Sequence, residues 1–225
     1  MKKVLKVLVF VIGIFLICGC TNEKGLAFKE EYESVNGKAN ARGVAHRVLE
    51  IPKDNPYEKI TTKELLEKID KKETFYVYFG DKLCPWCRSV IEKSIEVAKN
   101  NNIDKIYYIA IWDDEGNEIL RDKYEVNSKN KLVKTVDGTE DYYKLLKVFN
   151  ELLSDYNLKD SKGNDISTKE KRIYAPNYFY VENGVAKKMI TGISKLQQDT
   201  NDSRIDLTDE MLKEEEDAFN EFFSK

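Results

Sequence analysis

Phe75-Tyr76-Val77-Tyr78-Phe79 leads through Gly80-Asp81-Lys82-Leu83 into Cys84-Pro85-Trp86-Cys87. The first five residues form an apolar run of strand length. Beyond the cysteines, Val90, Ile91, Ile95 and Ala98 recur at helical spacing, with Cys87 one turn ahead of them. Two thiols are therefore predicted where a strand ends and a helix begins. The unpaired N–H groups of a helix N-terminus carry partial positive charge, which favours thiolate over thiol. A cysteine of ordinary pKa is about 3% thiolate at pH 7, whereas one with a pKa near 7 is about half ionised.

Upstream, Thr61 or Thr62 can cap a helix with Leu65, Leu66 and Ile69 on one face, and Ala45 to Ile51, ended by Pro52, reads as an edge strand. Downstream, Asn100-Asn101-Asn102 stops the helix. Ile106-Tyr107-Tyr108-Ile109-Ala110-Ile111 is apolar on both faces, as a central parallel strand requires. Strand, helix and strand then make a right-handed crossover in an α/β sheet. Asp113 to Tyr124 is expected to be a short helix, Leu132 to Val136 extended, and Glu140 to Tyr156 a helix. Lys159 to Asp165 reads as a loop or hairpin turn. Tyr178 to Val181, Glu182-Asn183-Gly184 and Val185 to Ile190 predict a hairpin, because Asn-Gly accepts the positive φ angles of a tight turn. Thr208 to Phe223 reads as an acidic helix packing through Met211, Leu212, Phe219, Phe222 and Phe223.

The chain opens differently. Lys2, Lys3 and Lys6 precede an apolar run of eleven residues, Val7 to Ile17. That is short of the roughly 20 residues a membrane-spanning helix needs, and it has the layout of a signal peptide. Ile17-Cys18-Gly19-Cys20 resembles the lipobox of bacterial lipoproteins. The resemblance implies that residues 1–19 are removed and that Cys20 becomes a diacylglyceryl-modified N-terminus; residues 20–44, polar and without a sustained period, read as a tether with room for a short helix near Lys29 to Ser34. Two acyl chains hold a protein stably on a membrane. An uncleaved anchor or an unlipidated signal are the alternatives. The domain is expected to work on the outer side of the cell membrane, lipid-anchored.

With Cys18 removed and Cys20 lipidated, two of the four cysteines remain for the working domain, Cys84 and Cys87, beside a single histidine, His46. A tetrahedral zinc site takes four such ligands, so no metal is expected. Cleavage would also leave 34 basic against 40 acidic residues, which gives no electrostatic case for nucleic acid.

In this order of elements, with CxxC closing a strand and Pro176 leading into the Asn-Gly hairpin with Gly192 after it, residues 45–225 resemble the thioredoxin-like superfamily. Within it the chain resembles extracytoplasmic bacterial lipoproteins, including those labelled bacteriocin transport accessory. The resemblance implies a three-layer α/β sandwich, a central mixed sheet flanked by helices. Ala175-Pro176 occupies the place of the family's cis-proline, whose loop faces the dithiol and offers backbone groups to a substrate. Pro85, Trp86, Ala175 and Pro176 are thus the expected substrate contacts. Thioredoxin has a buried aspartate six residues before its first active cysteine, where this chain has Tyr78; Asp81 or water could substitute. Residues 113–172 exceed the minimal family connection by about thirty residues, read as a helical insertion that could carry substrate choice.

The implied reaction is thiol–disulfide exchange. An exposed Cys84 thiolate attacks a protein disulfide and Cys87 resolves the mixed disulfide, or the reverse sequence oxidises a dithiol. No cofactor is implied, but a membrane redox partner is. Lys82 and Arg88 flank the site and could favour the thiolate. The rival reading is a surface lipoprotein that keeps the fold as a binding or chaperone module, with Cys84–Cys87 as a static bridge. A bridge three residues apart closes a very short loop and constrains the unfolded chain little, which weighs against it.

Overall fold

Five strands form the central sheet in the order β1-β3-β2-β8-β9, and the dithiol leaves the end of the middle one. The computed structural model describes residues 23–224. The cleavage site and Cys20 lie outside them. In chain order the elements are α1 (Glu23–Glu33), β1 (Tyr57–Lys59), α2 (Thr62–Asp70), β2 (Phe75–Gly80), α3 (Pro85–Asn100) and β3 (Ile106–Ala110). There follow β4 (Lys123–Val126), β5 (Leu132–Val136), α4 (Glu140–Phe149), β6 (Ser154–Lys159) and β7 (Asp165–Arg172). The chain closes with β8 (Asn177–Glu182), β9 (Val185–Ile190), α5 (Lys195–Thr200) and α6 (Asp209–Phe223).

Strands β1 and β2 run parallel to β3, with Tyr78 opposite Tyr108, while β8 is antiparallel to β2 and β9 to β8. Alternation along β2 divides the core in two. Phe75, Val77 and Phe79 face α2 and α4, packing with Leu65, Ile69, Leu145 and Phe149. Tyr76 and Tyr78 face α1, α3 and α6, whose Tyr32, Val90, Ile95 and Phe219 cover the other side. The result is a thioredoxin-like three-layer sandwich, helices on both faces of a mixed sheet.

Local chemistry explains the boundaries. Thr61 closes a capping box on α2, its Oγ1 accepting from Glu64 N at 3.2 Å while its own N–H donates to Glu64 Oε2 at 2.8 Å. Thr208 and Thr139 cap α6 and α4 with the side chain alone, accepting from Met211 N and Tyr142 N. Asn183 and Gly184 both take positive φ in the β8–β9 turn. A Cβ at Gly184 would also come within 2.4 Å of the Ile69 carbonyl oxygen, so glycine is required there twice over.

The polar segment expected to be a tether is part of the domain from Glu23 onward. Phe28 and Tyr32 lie one turn apart on α1 and are fully buried, Phe28 stacking on Tyr57. Ala45 to Ile51, expected as an edge strand, is not one. Side chains take its backbone bonds instead: Asn36 brackets Leu49, and Glu33 accepts from Ile51 N at 2.7 Å. Tyr57–Lys59 is the edge strand.

The insertion departs furthest from expectation. Asp113 to Tyr124 forms no helix; Asp113 Oδ1 draws in the N–H groups of Glu115 and Asn117 as a turn, and β4 follows. The predicted helix to Tyr156 stops at Phe149, and β6 begins at Ser154. The added material is thus two β-hairpins, β4–β5 and β6–β7, on either side of α4. Leu132–Val136, expected to be extended, is β5, and the polar stretch from Lys159 to Asp165 holds the β6–β7 turn; strands β4, β6 and β7 were not expected. The turns of the two hairpins are closed by Asn127 and Asp160, each accepting two backbone N–H bonds.

Candidate active site

Cys84 is the N-cap of α3, and Pro85 takes the first helical position, where the missing N–H costs nothing. The Cys84 sulfur accepts from Cys87 N at 3.3 Å, and its own N–H donates to the Asp81 carbonyl at 3.2 Å. Both thiols are free. The Ala175–Pro176 peptide is cis, and Cys84 Sγ lies 3.6 Å from the Ala175 carbonyl oxygen. Trp86, Ala175 and Pro176 line one groove of about 330 Å³. Pro85 lies apart from them, on the wall of a second cleft.

Cys84 was expected to be exposed, but it is 4% exposed and Cys87 is wholly buried. The loop carrying Ala175 covers it. Burial pushes the Cys84 thiol up, and the Cys87 thiol and N–H more than offset this, leaving Cys84 below its ordinary pKa; Asp81 opposes and Arg121 assists. Burial raises Cys87 well above its ordinary value, the Cys84 sulfur adds to it, and the Tyr78 hydroxyl and Asp81 backbone pull the other way. The two sulfurs are therefore unequal, with Cys84 the more acidic.

The flanking cations do not act as expected. Lys82 pairs with Asp114. Arg88 is buried and points away, donating to the carbonyls of Tyr32 at 2.8 Å, Lys82 at 3.1 Å and Arg47 at 3.0 Å and to Asn36 Oδ1 at 2.6 Å. It braces the 32–47 segment against α3. The cation that acts on Cys84 is Arg121, from the insertion. Its guanidinium pairs with Glu118 at 2.6 Å and donates to the Ile173 carbonyl at 3.2 Å, bracing the chain just before the proline loop.

Behind Cys87 stands a cluster that the sequence spacing does not reveal. Tyr32, Tyr57, Tyr78, Tyr108 and Tyr178 are fully buried. The Tyr78 hydroxyl lies 2.9 Å from that of Tyr32, and Tyr57 bonds Tyr178 at 3.1 Å and Ser94 at 2.7 Å. Gly80 makes this possible, since a Cβ there would sit 2.0 Å from the Tyr78 hydroxyl. Asp81 is also buried, which raises its carboxyl to about 6 although it accepts from Leu83 N and Trp112 N.

The chain is similar in structure to thioredoxin O2 from Arabidopsis thaliana in its oxidised state, with 14% sequence identity, 65% of this chain and 91% of that chain covered, and a TM-score of 0.33. No protein-family model and no curated protein matches it.

Proposed function

We propose that the protein is a thiol–disulfide oxidoreductase acting on protein disulfides through a Cys84/Cys87 cycle. The observation that carries this reading is the pair of free, unequal thiols at the α3 N-terminus, with the Ala175 carbonyl against the more acidic one. In the reductive direction the Cys84 thiolate attacks one sulfur of a substrate disulfide, forming a mixed disulfide and releasing the other sulfur as a thiolate. Cys87 then attacks the Cys84 sulfur. The second substrate sulfur leaves with the proton that Cys87 gives up, so the substrate gains two electrons and the pair becomes a disulfide. A membrane dithiol partner would recharge it. Oxidation of a substrate is the reverse sequence, and relative potentials set the direction.

The proposal places the domain outside the cytoplasm, held by lipid on Cys20. The basic start, the short apolar run and the lipobox-like Ile17-Cys18-Gly19-Cys20 support this. Among the described residues no helix is long and apolar enough to cross a membrane. The near-complete burial of Cys84 favours the second reading, a binding module with a static bridge.

Replacing Cys87 with serine separates the two. The exchange reading expects substrate proteins trapped on Cys84 as mixed disulfides, released by dithiothreitol. No trapped species, together with no reduction of insulin disulfides by the unmodified protein, leaves only the binding module.

A further inference from the structure

The second cleft beside the dithiol holds about 340 Å³ and is walled by His46, Arg47, Pro85, Arg88, Arg204 and Asp206 among others. On a protein of net charge −3 it gathers three guanidiniums. Among the described residues, none of the three has a carboxylate within ion-pairing distance. Arg88 spends its donors on neutral oxygens. Arg47 donates to the Ile205 carbonyl, and its Nε is buried without a partner. Asp206 is the wall's one acidic residue. Glu215 faces Arg47 and Lys93 from α6, but burial raises its carboxyl to about 8, which favours the neutral form and weakens its pull on Arg47. His46 registers the imbalance: burial, then the charges of Arg88 and Arg204, push its imidazole below the ordinary pKa.

We infer that this cleft is an anion subsite that takes a carboxylate lying a few residues from the disulfide Cys84 attacks. Pro85 joins the two sites, because it follows Cys84 directly and lines the cleft. A chain crossing Cys84 would meet the Trp86 groove on one side and positive charge on the other. The subsite has this role only if Cys84 exchanges disulfides. The carboxylate can come from a protein segment or from a small acidic disulfide such as glutathione disulfide.

The test compares two peptide disulfides that differ only in Asp or Asn two residues from the cysteine, with glutathione disulfide as a third substrate. The unmodified protein should prefer the Asp peptide by about fivefold in kcat/KM, and the preference should shrink as salt rises to about 0.5 M. Arg204→Glu, at an exposed position, should bring the ratio to one or below. Lys162→Glu, the same charge change on the distant β6–β7 turn, should leave the ratio intact. If Arg204→Glu slows glutathione disulfide alone, the subsite stands and its carboxylate belongs to the small disulfide. Equal rates on both peptides with no effect of Arg204→Glu on any substrate overturn the inference. If the unmodified protein cleaves neither peptide, the exchange reading falls and the subsite's role with it.

Discussion

Tyr78 occupies a place where a carboxylate would be the expected proton acceptor, and its chemistry is different. Burial raises its phenol well above the ordinary pKa, so at neutral pH it stays protonated: it can donate to the Cys87 sulfur but cannot take up its proton. Under the exchange proposal Cys87 would become a nucleophile by hydrogen-bond stabilisation of its thiolate, its proton leaving with the substrate thiol. Tyr78→Phe deletes that one hydroxyl. It should lengthen the life of a Cys84 mixed disulfide about fivefold, as loss of roughly 1 kcal/mol of hydrogen bonding implies, and move the pH profile of resolution upward. Tyr108→Phe is the comparison, because its hydroxyl instead bonds Glu31 at 3.1 Å. Stopped-flow measurement of the two variants decides it; equal lifetimes would remove Tyr78 from the mechanism. The Cys84–Cys87 pair at a strand-to-helix junction was legible because it is a local signal, whereas Ala175–Pro176 was placed only by its hairpin context and the family resemblance. The tyrosine cluster was not legible, since Tyr57 and Tyr178 are 121 positions apart and only the folded sheet joins them.

Helix α1 was legible only at its end, as a short helix near Lys29 to Ser34, whereas it runs from Glu23 to Glu33 and is packed into the core. Two aromatic residues one turn apart hold it, and the other positions are charged, small or solvent-facing, so no apolar stripe announces it. Phe28→Ala should lower the free energy of unfolding by about 3 kcal/mol, because it opens a cavity among the rings of Tyr32, Tyr57 and Tyr108. Urea denaturation measures this, and a loss below about 1 kcal/mol would mean that α1 is only loosely attached. Strands β2 and β3, helices α2, α3 and α6, and the β8–β9 hairpin were readable from period and capping. Of the inserted hairpins, Leu132–Val136 and the turn after Lys159 were legible, but β4, β6 and β7 were not, because their strands are short or mostly polar. Arg121, just ahead of β4, donates to the Ile173 carbonyl and adds a small electrostatic assistance to Cys84.

Across the molecule, Glu215 couples stability to pH. Its carboxyl is raised from an ordinary 4.5 to about 8, chiefly by burial against α3 and the 45–48 segment. Between those values the folded protein holds a proton that the unfolded chain releases, so stability falls as pH rises from about 4.5 to about 8 and levels off above. The loss should amount to a few kcal/mol, Arg47 and Lys93 limiting it. Thermal melts from pH 5 to 8.5 check this, and Glu215→Gln should flatten the slope; an unchanged slope would show that Glu215 is ionised in the fold. A further consequence follows from where α1 lies. Under the lipid-anchor proposal only Thr21 and Asn22 separate Cys20 from Glu23, a reach of about 10 Å. The domain would rest against the bilayer surface with little leash, and would find its partners by lateral diffusion in two dimensions, at a nearly constant height above the lipid.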